Sequence, residues 1–258
     1  MKYLLYIVIA SLLISCKKDK SFADDIVLDF PKDEKLKFQE FNEDLTHLGT
    51  SLIYIGESRP RIDVKYYKYI LPPPLLPAKI DENAEAAKKS EDSIQLIQKP
   101  FFRAEKIQIL KTTETLSDAL NSENLSIFVR EKDTIPLYKQ NLETKKINKY
   151  KAFPVFIKNI SNKVLKIPTD AKNVDLFILN NNKFQYIRNS NYRFVGMGSS
   201  AIPYFELKPD EILVYSCPYF KKGEKRKAKI KFTNTESKEF EMSIDENMVK
   251  KLRERLFE

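Results

Sequence analysis

KAKIKFTNTESKEFEMSI, residues 227–244, alternates twice. Ala228, Ile230 and Phe232 alternate with Lys227, Lys229 and Lys231; Phe240, Met242 and Ile244 alternate with Glu239 and Glu241. A period of two places one set on an inner face of a sheet and the other outside. Asn234-Thr235-Glu236-Ser237 supplies a polar turn between the runs. The stretch therefore predicts a hairpin, apolar on one face, with lysine opposite glutamate on the other. Each such cross-strand pair contributes about 0.2–1 kcal/mol, and less when exposed.

The same pattern recurs upstream. Strands are expected over 51–56 and 61–70, then over 101–112, 125–131, 134–139, 151–159, 174–180, 183–188, 201–207 and 211–220. Short strands at this spacing argue for a mainly β fold, a sandwich of one large or two modest β domains. Asn180-Asn181-Asn182 suits a hairpin turn, because asparagine tolerates positive φ. Leu207-Lys208-Pro209-Asp210-Glu211 reads as a second turn. Two helices are expected. One covers 33–48, where Leu36, Phe41, Leu45 and Leu48 share a face. The other is a short C-terminal helix capped by Asp245, with a stripe of Val249, Leu252 and Leu256. Four prolines within residues 72–77 rule out a central strand or helix there. They open a Pro-rich, then polar, insertion over 72–100, whose stretch Asp81–Gln98 reads as a further, polar helix or as a mobile insertion.

At Lys151-Ala152-Phe153-Pro154-Val155-Phe156-Ile157-Lys158-Asn159 the chain resembles uncharacterised Gram-negative outer-membrane lipoproteins with an immunoglobulin-like β-sandwich. The shared pattern is an apolar strand ending in Lys-Asn, a Leu-x-Pro-x-Glu turn (here Leu207 to Glu211) and basic alternating strands after it. It covers about residues 150–245. The resemblance implies an immunoglobulin-like domain over 146–258, preceded by a β-rich region over 26–145, and no particular activity. The tryptophan these domains often carry is missing here.

The N-terminus carries a second resemblance. Lys2 precedes an apolar run from Leu4 to Ile14, shorter than the roughly 20 residues of a spanning helix. Leu13-Ile14-Ser15-Cys16 resembles a bacterial lipobox. That implies a signal peptide over 1–15 and a mature chain beginning at Cys16, which carries diacylglycerol and an N-acyl chain. Each buried CH₂ contributes about 0.8 kcal/mol, so more than one chain makes a stable anchor. Residues 16–25 are expected to be a tether. Lys17 after the cysteine, and Lys18-Asp19 as a partial export tag, point to the outer membrane. Both a surface-facing and a periplasm-facing leaflet remain open.

Formal charge is +9, and losing Lys2 with the signal leaves +8. The lysines are spread along the chain, as a solvated surface requires; a basic face toward anionic headgroups is the functional alternative. No nucleic-acid motif is present, and no nucleic acid is expected as a partner. With Cys16 acylated, Cys217 has no disulfide partner, and its apolar run reads as a buried, inert thiol. His47 is the only histidine. It reads as structural, since a triad or a His-rich metal site would rest on it alone.

Gly196-Met197-Gly198-Ser199-Ser200 lacks the lysine of a phosphate loop. With Tyr192, Arg193 and Phe194 beside Gly196 and Gly198, it forms the candidate binding loop, on residue types that make interface hot spots. Asp92-Ser93-Ile94 and Asp133-Thr134-Ile135 resemble an Asp-Ser/Thr-apolar O-glycosylation acceptor. Ser93 lies in the polar insertion, whereas Thr134 borders a strand and is the poorer of the two.

The reading is an acyl-anchored envelope lipoprotein, a non-catalytic binding or assembly module with a protein or glycan partner. No cofactor, metal or enzymatic activity is expected. An immunity-type lipoprotein that neutralises a toxin is the alternative. A hydrolase with an unrecognised carboxylate site stands third.

Overall fold

The computed structural model describes residues 20–32, 35–39, 47–48, 52–64, 107–109, 120–141, 144, 146–168, 174–187, 203–220, 223–246 and 248–249. Sixteen strands run through these residues, and the protein is mainly β, as its alternating pattern predicts.

The organising element is β8 (Ile147–Asn159), thirteen residues long. Tyr150, Ala152 and Phe156 point to one side of it, and Phe153, Val155 and Ile157 to the other; all are buried. Such a strand needs a layer on each face. On one edge β8 pairs antiparallel with β13 (Glu211–Pro218), from Ile212↔Lys158 to Pro218↔Ala152. Its other edge takes two strands in series: β6 (Leu125–Val129) lies along Val155–Asn159 and β7 (Ile135–Asn141) along Ile147–Ala152. Between them, residues 130–134 face only Phe153 and Pro154, so five residues bulge opposite two. Proline has no N–H to give a ladder, and Pro154 sits where the partner strand departs. Its carbonyl still accepts from Arg130 N at 3.1 Å.

β3 (Leu52–Glu57) pairs with the far edge of β13, and β2 (His47–Leu48) with β7, completing a six-stranded sheet. The domain boundary expected after residue 145 falls in the turn between β7 and β8. Strands from both sides of it therefore share this sheet.

One face of this sheet meets a five-stranded sheet made of β10 (Asp175–Asn180), β11 (Lys183–Tyr186), β14 (Glu224–Phe232), β15 (Thr235–Glu236) and β16 (Phe240–Ile244). Ile178, Ile230, Phe232 and Met242 share one cluster with Phe153, Val155, Leu213 and Tyr215. A three-stranded sheet of β5 (Ile107–Ile109), β9 (Leu165–Pro168) and β12 (Pro203–Leu207) adds Ile167 and Leu207 to it. On the opposite face Phe156, Ile212 and Val214 form a second cluster with Ala23, Ile26, Ile62 and Val64. Those four come from, or flank, a parallel pair, β1 (Val27–Asp29) and β4 (Arg61–Asp63).

The expected turns form. Asn181 and Asn182 have φ of 50° and 61° and join Asn180 to Lys183, the two-residue hairpin with positive φ at both centres. The hairpin of the opening stretch also forms, with Lys227 opposite Glu241 and Ala228 opposite Phe240. Its turn is tighter than the polar tetrapeptide suggests. Phe232 already pairs with Thr235, so Thr233 (φ 53°) and Asn234 make the turn. Ser237 then interrupts the returning strand, its Oγ accepting from Ile230 N at 3.0 Å.

The helix expected over 33–48 is contradicted at its described residues. Lys37 and Gln39 make β-bridges to Tyr150 and Phe220, and His47–Leu48 is strand. The open edge of β8 at Lys149–Lys151 offers main-chain partners there: Lys37 N donates to Lys149 O and Lys151 N to Lys37 O. The C-terminal helix is not shown. Asp245 O accepts from Met248 N and Val249 N, at 3.0 and 3.4 Å, and the chain beyond lies outside the described residues.

Candidate functional site

Cys16, Ser93 and the candidate binding loop with Tyr192, Arg193, Phe194, Gly196 and Gly198 lie outside the described residues. Of that loop, chain connectivity alone places its ends, after β11 and before β12.

The stretch read as tether is folded in its second half. Ser21 N donates to Asp24 Oδ2 at 2.7 Å, Ala23 N to Ser21 Oγ at 3.3 Å, and Ile26 N to Ala23 O at 3.2 Å. The cause is apolar: Ala23 and Ile26 bury themselves on the outer face of the six-stranded sheet. Arg130, from the bulge between β6 and β7, pins this turn. Its Nη1 donates to Ile26 O at 2.7 Å and Ala23 O at 3.2 Å, and its Nε lies 2.8 Å from Asp133 Oδ2. Its guanidinium stacks 4.9 Å from the centre of the Phe156 ring, an added cation–π attraction.

Tyr219 props the bulge from the other side. Its hydroxyl meets the carbonyls of Glu131 and, at 3.1 Å, Asp133, while its ring packs 5.1 Å from that of Phe153. Burial first, then the nearby Glu131 and Asp133 charges, raise its pKa from 10.0 to about 12. Below pH 10 the tyrosine is protonated in folded and unfolded chains alike. Above it the unfolded chain releases its proton first, so stability falls as pH rises through 10 toward about 12. Urea melts of wild type and Tyr219→Phe check this. The stability difference should be constant below pH 10 and shrink above it; a difference independent of pH contradicts the assignment.

Thr134, the acceptor expected to be the poorer because it borders β7, is exposed at the end of this bulge. Cys217 is buried in the larger cluster, and burial pushes its thiol far above the ordinary range, so the expected inert thiol is what folds. Among the described residues no group of three or more His, Cys, Asp or Glu is placed to hold a metal ion.

The outer face of the five-stranded sheet carries the most distinctive chemistry. On β14 and the strands returning beside it, lysine and glutamate face outward: Lys227 reaches Glu239 at 3.0 Å and Lys229 reaches Glu236 at 2.6 Å. On β10 and β11 the outward positions are instead Phe177, Leu179, Phe184 and Tyr186, with Phe177 opposite Tyr186 and Leu179 opposite Phe184. The Phe177 and Tyr186 rings lie 5.5 Å apart, and Lys229 Nζ sits 4.4 Å from the centre of Phe184. Tyr186 is 43% exposed. Asp175 closes the row, opposite Lys231, and accepts a hydrogen bond from Tyr186. Burial raises its carboxyl, and Tyr186 and then Lys231 pull it back. Sequence reading passed over this face. The signal was present in β10, whose outward side carries Phe177 and Leu179 after Asp175, where a solvated strand would stay polar.

No family model, no curated protein and no solved structure matches this chain.

Proposed function

We propose that the protein is an acyl-anchored lipoprotein of the outer envelope, attached through Cys16, whose immunoglobulin-like β-sandwich acts as a non-catalytic binding or assembly module. The observation that carries this reading is the folded turn at Ser21–Ile26, locked by Arg130. Five residues of chain from Cys16 to Ser21 reach at most about 18 Å. An acylated Cys16 would hold the body close to the bilayer, as a module working at a membrane surface requires. The immunoglobulin-like assignment is supported by two antiparallel sheets sharing one apolar cluster. It is also supported by the Lys-Asn strand end and the Leu-x-Pro-x-Glu turn meeting through Asn159.

Mass spectrometry of the membrane fraction tests the anchor. The wild-type chain should begin at Cys16 with an acyl mass added, and Cys16→Ala should lose both. A wild-type chain that keeps residues 1–15 or carries no acyl mass withdraws the proposal. Protease shaving of intact cells then reads the leaflet. Cleavage while periplasmic markers survive gives a surface-facing body, and protection until lysis a periplasm-facing one.

A further inference from the structure

A solvated sheet face normally alternates charges, as β14 and β16 do here. The neighbouring β10 and β11 break that rule with three aromatic rings and a leucine, set against a lysine row and ended by a carboxylate. We propose that this outer face, centred on Phe177, Phe184 and Tyr186 with Lys229, Lys231 and Asp175 beside them, binds an anionic saccharide. The inference rests on the binding-module reading and names its ligand class.

The chemistry selects the occupant. A pyranose ring offers apolar C–H faces alternating with hydroxyls. Aromatic rings cover the first, and a carboxylate such as Asp175 accepts from the second. Lys229 holds its ammonium directly over Phe184, so a carboxylate or phosphate on a stacked sugar meets it at once. Its ion pair with Glu236 fixes it in that position. Burial of Asp175 keeps its oxygens from full hydration, which makes hydrogen bonds to ligand hydroxyls more favourable. A protein partner fits less well. Three part-covered rings and one leucine fall short of the roughly 800 Å² per side that a stable protein interface buries. An anionic bilayer fits less well too, because its headgroup layer offers no flat C–H ring face for Phe177, Phe184 and Tyr186 to cover.

The test uses the full chain in zwitterionic detergent micelles, titrated by calorimetry with oligogalacturonate as the acidic probe and a malto-oligosaccharide as the neutral one. Oligogalacturonate should bind saturably and more weakly as salt rises. Tyr186→Ala and Phe184→Ala should each raise Kd about tenfold. Lys231→Gln should raise Kd and flatten the salt dependence. Lys225→Glu, at an exposed position two residues before Lys227 on the outward side of β14 and opposite Ser243, should raise it by about threefold or more.

Absence of saturable binding to wild type overturns the proposal. So does equal binding of the neutral probe, or wild-type affinity in folded Tyr186→Ala. None of these outcomes bears on the anchor, which is read on Cys16 by mass.

Discussion

Asn159→Ala should destabilise the protein by about 2–3 kcal/mol, and Asn159→Asp by more. The side chain is fully buried (0% exposed) and uses every hydrogen-bonding position the site offers. Its Nδ2 donates to Lys163 O at 2.8 Å and to Leu207 O at 2.9 Å. Its Oδ1 accepts from Ser161 N at 3.0 Å and Ser161 Oγ at 2.7 Å. One amide thus ties the turn after β8 to the turn between β12 and β13. Alanine removes all four bonds and strips the buried Leu207 carbonyl of a donor, at about 1–3 kcal/mol for a group left unsatisfied. Aspartate keeps the acceptor but turns a charge toward two carbonyls in a dry site, which is costlier. The adjacent Lys158–Asp210 pair, 2.7 Å long but with Asp210 largely exposed, is the control. Lys158→Ala should cost no more than about 1 kcal/mol. Urea melts of the three variants check the order. An Asn159→Ala variant as stable as wild type would show that these turns hold without it.

Gly223→Ala should be at least as damaging as Asn159→Ala, at about 3 kcal/mol, the upper end of the overpacking range. A Cβ there would lie 2.0 Å from Ile244 O, 2.4 Å from Ile244 C and 2.6 Å from Asp245 N. All three are main-chain atoms, so no flexible side chain can yield. The alternatives are to part β14 from β16 where Glu224 pairs with Ile244, or to rotate the start of β14. In a protein of this size such a loss lowers Tm by roughly 6–12 °C. A thermal melt within about 1 °C of wild type would mean that the two chains separate freely here.

These two positions mark the limit of what could be read from the sequence. Asn159 was visible as the end of an apolar strand, and Leu207–Glu211 as a turn, but nothing in either stretch places them in contact across a separation of 48 positions. Gly223 stood in a run of lysines with no turn signature of its own. The helix expected over 33–48 failed for a related reason. Leu36, Phe41, Leu45 and Leu48 do recur at helical spacing, yet Lys37 and Gln39 found partners on the open edge of β8 and beside Phe220. The tether reading likewise weighed the polarity of residues 17–25 and missed that one alanine, Ala23, could seat the turn against the sheet.

Local patterning was sufficient for many of the strands and for two hairpins, but β1, β2 and β9 were not among the strands expected. Alternation in 227–244 assigned the inner and outer faces of two strands, and three asparagines assigned a turn with positive φ. Both properties are settled within a few residues of chain. Folding decided the rest: that β8 and β13 are covered on both faces, that strands from the first half of the chain complete the sheet of the second, and that Phe177, Phe184 and Tyr186 share one solvent-facing row. Those outcomes depend on which distant segments bury against each other. That is a balance of apolar area and main-chain hydrogen bonding over the whole molecule, which no short window contains.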